Sequence, residues 1–332
     1  MPELGTVAEY PVRILTAVTF HFRETRLQYV FQVLRALTAY PVEILDVVII
    51  TNVDDQIAHK QIRDLCAPLF SSIPVRPNSK KSLSIESFPK LVDPWLLPWS
   101  HKHLIVDRFL SAESDYTHFI YLEDDMLLSF DNFCYFVYFR ERLKRERLIP
   151  AFQRVEYNDI DNCLYLADQV GVSDFKSRKR VDVDGFAFVN LDYPYEALFI
   201  LDRELALEYV KTSSFDMERS KIVRPEWDVA TRSAMGLCFE NPPAGFEFRY
   251  VSPVDPSTLT TPYWSWVYHT PNNYVKNRLK PFAKTRIDQL FDPDNNVITW
   301  RPPSKFTEYF ERLRVRIERL RGKKSRSPNP SL

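Results

Sequence analysis

Residues 44–51, Ile-Leu-Asp-Val-Val-Ile-Ile-Thr, constrain this chain more than any other segment. Apart from Asp46 and Thr51 every side chain in the run is apolar, and most are β-branched. Such a run predicts a strand buried on both faces, the position of an interior strand in a parallel sheet covered by helices. The flanking segments agree. Residues 14–19 (ILTAVT) read as a strand, and residues 24–39 carry Leu27, Val30, Phe31, Leu34 and Leu37 at helical spacing. Residues 55–65 read as a helix, 73–76 as a short extended piece, 95–112 as a helical pattern and 116–122 (YTHFIYL) as a strand. This alternation predicts an α/β fold with a mostly parallel central sheet, flanked by helices joined through right-handed crossovers. Ligands of such sheets collect beyond the carboxyl ends of the strands.

The second half has a different character. A charged amphipathic helix is expected at 132–148 and strands at 152–156, 183–190 and 197–201, without regular crossovers. Residues 225–238 contain a helix, and prolines and aromatics dominate 241–303, as in ordered loops around a site. From Ser304, a capping residue after two prolines, Phe306, Tyr309, Phe310, Leu313, Ile317 and Leu320 share one face of a basic helix. That helix either packs on the body or touches an anionic membrane surface.

Composition matters where phosphate binding is considered. Only 6 of 332 residues are glycine, against about 23 at average usage. The sequence holds no G-x-G-x-x-G turn, no G-x-x-x-x-G-K-[ST] loop and no G-x-S-x-G elbow. Phosphate, if bound, is held by something other than glycine-rich backbone. Lys+Arg and Asp+Glu both total 44, and this balance argues against a nucleic-acid partner. Cys66, Cys134, Cys163 and Cys238 lack zinc-ligand spacing and read as reduced core residues. No leader segment and no apolar run near the ~20 residues of a membrane span is apparent, so a cytoplasmic protein is expected.

The most informative segment is Phe119-Ile120-Tyr121-Leu122-Glu123-Asp124-Asp125, an apolar strand running into three acids. Their mutual repulsion calls for a cation or donor groups. Mg²⁺ or Mn²⁺ suits carboxylate oxygens and completes its coordination with phosphate oxygens and water. A strand of this type, about a hundred residues after an N-terminal strand–helix–strand unit, resembles the nucleotide-sugar glycosyltransferases of the GT-A fold. There a D-x-D motif occupies the same place, with an E-D-D spelling in inverting N-acetylglucosaminyltransferases. The resemblance spans roughly residues 12–275 and assigns no subfamily. It implies a Rossmann-like sheet, a metal held by Asp125, and Glu123 and Asp124 facing the ribose, the donor sugar or the metal's surroundings. The same layout implies nucleotide-sugar contacts from Thr19, His21, Arg23 or Arg26 after the first strand, and from Asn52 and Asp54 after the second. Lys102 is a further cation for the phosphates. A guanidinium suits the diphosphate because its fork matches phosphate oxygens.

Arg224-Pro225-Glu226-Trp227-Asp228 opens a helix, where proline and acids are at home. The resemblance also places the base that deprotonates an acceptor hydroxyl at such a helix start, Asp228 in preference to Glu226. Trp227 either stacks on a sugar or fills the core. Late in the chain, Tyr263, Trp264 and Trp266 form an aromatic cluster suited to the apolar faces of an acceptor sugar, and His269 follows. By its position in the family layout His269 is a second metal ligand. Asp182-Val183-Asp184-Gly185 resembles a phosphatase start, but the charged approach 176–180 argues against it.

The expectation is therefore a metal-dependent transferase with Mn²⁺ or Mg²⁺, a UDP-type sugar donor and a glycan or glycolipid acceptor. Residues 1–126 would bind the donor, 127–303 the acceptor, and 304–332 would be a basic tail capable of peripheral membrane contact. A sugar-phosphate nucleotidyltransferase and a non-catalytic carbohydrate-binding protein are the alternatives; the former usually carries an N-terminal glycine-rich loop.

Overall fold

The structure is a computed structural model and describes residues 11–71, 79–277 and 279–291. The expected extended piece at 73–76 and the basic helix from 304 onward lie outside these residues. Among the described residues no helix is long and apolar enough to cross a membrane.

The first half alternates as expected: β1 (Arg13–Phe20), α1 (Leu27–Thr38), β2 (Ile44–Thr51), α2 (Gln56–Phe70) and β3 (Lys80–Ser87). A 3-10 turn, Glu24–Arg26, leads into α1. The Asp55 carboxylate caps α2 by accepting from the Ala58 N–H. The expected continuous helix over 95–112 is instead a 3-10 stretch (Pro94–His101), one helical turn α3 (Lys102–Leu104) and a π turn (Ile105–Phe109). Pro98 lacks the N–H that an α-helical ladder needs there. The chain then enters β4 (His118–Glu123).

The second half contributes β5 (Met126–Leu127), α4 (Phe130–Leu143), β6 (Ile149–Pro150), β7 (Gln153–Asn158), β8 (Cys163–Leu166), β9 (Arg180–Val183), β10 (Phe186–Val189) and β11 (Leu198–Asp202). There follow α5 (Arg203–Tyr209), α6 (Met217–Val223), α7 (Val229–Ala234), β12 (Tyr250–Val254), β13 (Trp266–His269) and β14 (Thr285–Arg286). The single strand expected over 183–190 is a hairpin, β9 and β10, turning at Asp184 (φ 49°) and Gly185 (φ 84°). An Asp-Gly pair suits this turn because both residues tolerate positive φ. The D-V-D-G sequence is thus hairpin chemistry.

The central sheet runs β11-β4-β1-β2-β3. β1 pairs in parallel with β2 and with β4, and β2 with β3; only β11 is antiparallel. The chain winds outward through β2 and β3 and then returns to the other side of β1. That reversal makes the carboxyl ends of β1 and β4 the topological switch point of a Rossmann-like sheet. Thr19 lies opposite Glu123 there, and Phe20 opposite Thr51. Two smaller sheets, β6-β12-β10-β9 and β14-β8-β7-β13-β5, complete the architecture. One apolar cluster runs from Ile14 through Phe119 and Tyr135 to Val267, and a smaller one surrounds Val155, Leu166 and Ile287.

Candidate metal centre at the end of β4

Two strand registers assemble the site. Immediately after the acidic triplet, β5 pairs antiparallel with β13, which sets His269 opposite Met126. The Thr270 N–H and hydroxyl then donate to the Asp125 carbonyl at 3.0 and 3.1 Å. On its other side β13 runs parallel to β7, with Tyr268 opposite Val155, so the next residues are His269 and Glu156. Residues 144 positions apart in the chain, Asp125 and His269, meet because one short strand follows the triplet directly.

His269 Nε2 stands 3.5 Å from Asp125 Oδ2, and Nδ1 lies 2.5 Å from Glu156 Oε1. All three residues are enclosed: Asp125 and His269 are 5% exposed and Glu156 is 0% exposed. Glu156 is fixed further by the N–H groups of Tyr274 (3.2 Å) and Val275 (2.6 Å). With Nδ1–H donating to Glu156, the imidazole is oriented with Nε2 toward Asp125, the carboxylate–histidine arrangement that supports metal ligation. Burial pulls the His269 pKa down, but hydrogen bonds with Asp125 and Glu156 outweigh it and raise it to about 9. Burial pushes Asp125 up, but His269 and Arg26 bring it down to about 2.

Arg26, at the end of the turn after β1, reaches across to the triplet. Its Nε and Nη2 donate to both oxygens of Asp124 at 2.8 and 2.6 Å, and Nη2 also reaches Asp125 Oδ2 at 2.7 Å. Even so, burial lifts the Asp124 pKa to about 7. Glu123 accepts from the Tyr195 hydroxyl at 2.8 Å, and burial followed by the Asp125 charge raises its pKa. Next to this group Arg154 pairs with both oxygens of Asp168, under the Tyr195 and Tyr274 rings.

A divalent cation fits these residues by two observations. Asp125 Oδ1 is buried and has no hydrogen-bond partner, although an unpaired buried carboxylate oxygen is costly. Beside it stands an imidazole with one nitrogen already anchored. Among the described residues no group of three or more His, Cys, Asp and Glu side chains forms a ready cage. Two protein ligands, with phosphate oxygens and water for the remainder, are nevertheless the usual provision for Mg²⁺ or Mn²⁺ at a phosphate site. Metal binding there would be coupled to loss of the Nε2 proton.

The other expected residues are distributed as follows. Thr19 is buried at the switch point, and its carbonyl accepts from the Asp124 N–H at 3.1 Å. Asn52 Oδ1 accepts from the Phe22 N–H at 2.7 Å and ties the end of β2 to the segment after β1. His21 is half-buried, with its pKa lowered by burial and then by Arg23 and Arg26. Arg23 and Asp54 are exposed.

Lys102 does not join the acids. It is buried, donates to the carbonyls of Ser214 (2.6 Å) and Phe215 (3.1 Å), and sits against the Trp99 ring at 3.9 Å. Its ammonium is bound to those two carbonyls, which corrects the expected phosphate contact. Trp264 is corrected too. At 4% exposure it stacks on Phe139 (5.5 Å, 19°) and packs against Tyr135 and Phe186, whereas Tyr263 beside it is 49% exposed. Trp266 is half-buried, with its indole N–H on Thr261 Oγ1.

Asp228 is exposed and is the N-cap of α7, accepting from the Thr231 N–H (2.9 Å) and hydroxyl (2.7 Å). Glu226 is exposed and 3.6 Å from Arg224. Trp227 is half-buried against Phe239. Helix α7 packs on the Pro94–His101 stretch, where the Trp99 indole donates to the Val229 carbonyl.

Glu156, Arg154, Asp168 and Tyr195 escaped sequence reasoning. The only signal for Glu156 is an acid at the end of an otherwise buried strand segment, Phe152-Gln153-Arg154-Val155-Glu156.

No protein-family model matches the chain, and no curated protein matches it. Among solved structures, the chain is similar to the apo form of WbbM, a bifunctional glycosyltransferase, with 10% identity and a TM-score of 0.31. The match covers 64% of this chain and 34% of that one, so it spans about a third of the neighbour's length. The functional reading rests on the site's own geometry.

Proposed function

We propose that this chain is a metal-dependent glycosyltransferase of the GT-A type that moves a sugar from a nucleoside-diphosphate donor, UDP-linked, to a hydroxyl of a glycan or glycolipid. The observation that carries the reading is the buried, unpartnered Asp125 Oδ1 beside a His269 anchored by Glu156, at the switch point of the central sheet. Asp125 and His269 would hold Mn²⁺ or Mg²⁺, which when bound neutralises the departing diphosphate.

The chain's own residues supply the rest. Arg26 positions Asp124 and Asp125 and lies 31% exposed at the mouth of the cluster, where its fork suits diphosphate oxygens. Thr19, His21, Arg23, Asn52 and Asp54 border the same strand ends and would form the nucleotide side. Asp228, with Glu226 second, would take the acceptor proton in an inverting displacement. Trp227, Tyr263 and Trp266 would line the acceptor side.

Two measurements test this. Purified protein with Mn²⁺ and a panel of nucleotide sugars should release free nucleotide, and Asp125→Ala should abolish the release. No release from any donor, with acceptors supplied, would sink the proposal. Asn caps a helix as well as Asp does, so Asp228→Asn should keep the melting temperature and donor binding while transfer falls at least a hundredfold. Near-normal transfer would move the base role elsewhere.

A further inference from the structure

Arg26 holds the oxygen that the proposed cation needs. Its Nη2 bridges two carboxylates, 2.6 Å from Asp124 Oδ1 and 2.7 Å from Asp125 Oδ2, and its Nε donates to Asp124 Oδ2 at 2.8 Å. Asp125 Oδ2 is also the oxygen that lies 3.5 Å from His269 Nε2. Two metal–ligand bonds of about 2.0–2.1 Å each can span such a gap without moving either side chain. A cation shared by Asp125 and His269 would therefore meet the Arg26 guanidinium on the same oxygen.

The acids need a positive charge beside them whether or not a metal is bound. Asp124 and Asp125 are 4% and 5% exposed, and buried carboxylates without an opposite charge are costly. Among the described residues Arg26 is the one lysine or arginine that pairs with them. Its attachment is also the loosest of the cations nearby. It stands at the end of the Glu24–Arg26 turn with its side chain 31% exposed, and among the described residues its guanidinium has no hydrogen-bond partner besides these two carboxylates. Lys102 and Arg154, by contrast, are buried and fixed to other groups.

We propose that Arg26 is a placeholder for the metal. It neutralises Asp124 and Asp125 before a divalent cation arrives, gives up Asp125 to that cation, and turns its fork to the donor's diphosphate. The inference rests on the donor reading above and adds a coupling to it. Two cations on one buried oxygen repel steeply, so metal alone must displace a guanidinium that has nowhere else to go. A diphosphate receives it, because the fork matches phosphate oxygens. Metal and nucleotide then favour each other, and the coupling is the same in both directions.

A fixed support for the acids would behave in the opposite way. Removing a support weakens metal binding, whereas removing a competitor strengthens it. The test is Mn²⁺ titration with and without UDP, following the free-ion electron paramagnetic resonance signal, in wild type, Arg26→Met and Arg26→Lys. In wild type UDP should tighten Mn²⁺ binding by a factor in the range of about 5–150. Arg26→Met should bind Mn²⁺ without UDP about tenfold more tightly than wild type, and the gain from UDP should shrink by a similar factor. Its melting temperature should also rise more on addition of Mn²⁺ than that of wild type. Arg26→Lys keeps a charge near the acids and loses the fork; it should show the same signs at smaller size, and it serves where Arg26→Met does not fold. Mn²⁺ binding without UDP that is weaker than or equal to wild type in the folded variants overturns the inference and leaves the donor reading standing. Absence of Mn²⁺ binding to wild type, with or without UDP, defeats the metal-dependent donor reading as well.

Discussion

Glu156 does the most with the fewest atoms. Fully buried, it accepts from one imidazole and two backbone N–H groups, and so fixes which nitrogen of His269 faces Asp125. Glu156→Gln keeps the shape but replaces one acceptor oxygen by an NH₂ group that must face a donor. We expect Mn²⁺ affinity to fall about 10- to 100-fold, with about 1–3 kcal/mol of stability lost to the mismatched donor. Titration calorimetry and denaturant melts measure the two effects; unchanged Mn²⁺ affinity would remove Glu156 from the centre. The neighbours Tyr263 and Trp264 give a contrast in burial. Trp264→Ala should cost about 3–5 kcal/mol in a urea melt, as large core truncations do, and Tyr263→Ala about 1 kcal/mol or less. Equal losses would contradict the placement of the two rings.

At the scale of elements, the stretch from Pro94 to Phe109 carries its own pH dependence. His101 is enclosed by Phe119, Tyr121 and Phe199, and burial, followed by the Lys102 charge, holds its pKa well below the ordinary value. Below about pH 6.5 the unfolded chain protonates this histidine while the folded chain does not. The stability owed to neutral His101 is therefore full above about pH 6.5 and lost as pH falls toward the lowered folded value. His101→Phe should flatten the loss of melting temperature between about pH 6.5 and 5 relative to wild type; parallel profiles would contradict this. The same stretch shows where the sequence misleads. Its apolar spacing is helical, but Pro98 forbids a regular ladder, so spacing alone over-reads it. β1, β2 and β4 were legible because strands buried on both faces are apolar throughout. β3 was not, since this edge strand, Lys-Lys-Ser-Leu-Ser-Ile-Glu-Ser, only half-buries Leu83 and Ile85 on one face and exposes Lys80, Ser82 and Ser84 on the other. The acidic triplet was visible as a local run, and His269 through the family layout. Glu156 and Arg154 were invisible because only the β5–β13–β7 register brings them to the triplet, and Tyr195 because only the β11–β4 pairing does; pairing between distant strands leaves no local mark.

Across the whole molecule, the division expected at residues 126/127 separates stretches of chain rather than cores. One apolar cluster crosses it, and the candidate centre draws Asp125 from one side and Glu156 and His269 from the other. The glycine shortage acquires a physical counterpart at this scale. No glycine-rich turn follows β1; a phosphate arriving at the switch point would meet side chains, chiefly Arg26, and the cation that Asp125 is proposed to hold. The central claim is that Asp125 and His269 together bind a divalent cation. It is tested most directly by Mn²⁺ titration with UDP present, following the loss of the free-ion electron paramagnetic resonance signal. Wild type should bind one Mn²⁺ per chain, and Asp125→Ala and His269→Ala should each weaken binding at least a hundredfold. Stoichiometric binding that survives in both variants would contradict the account.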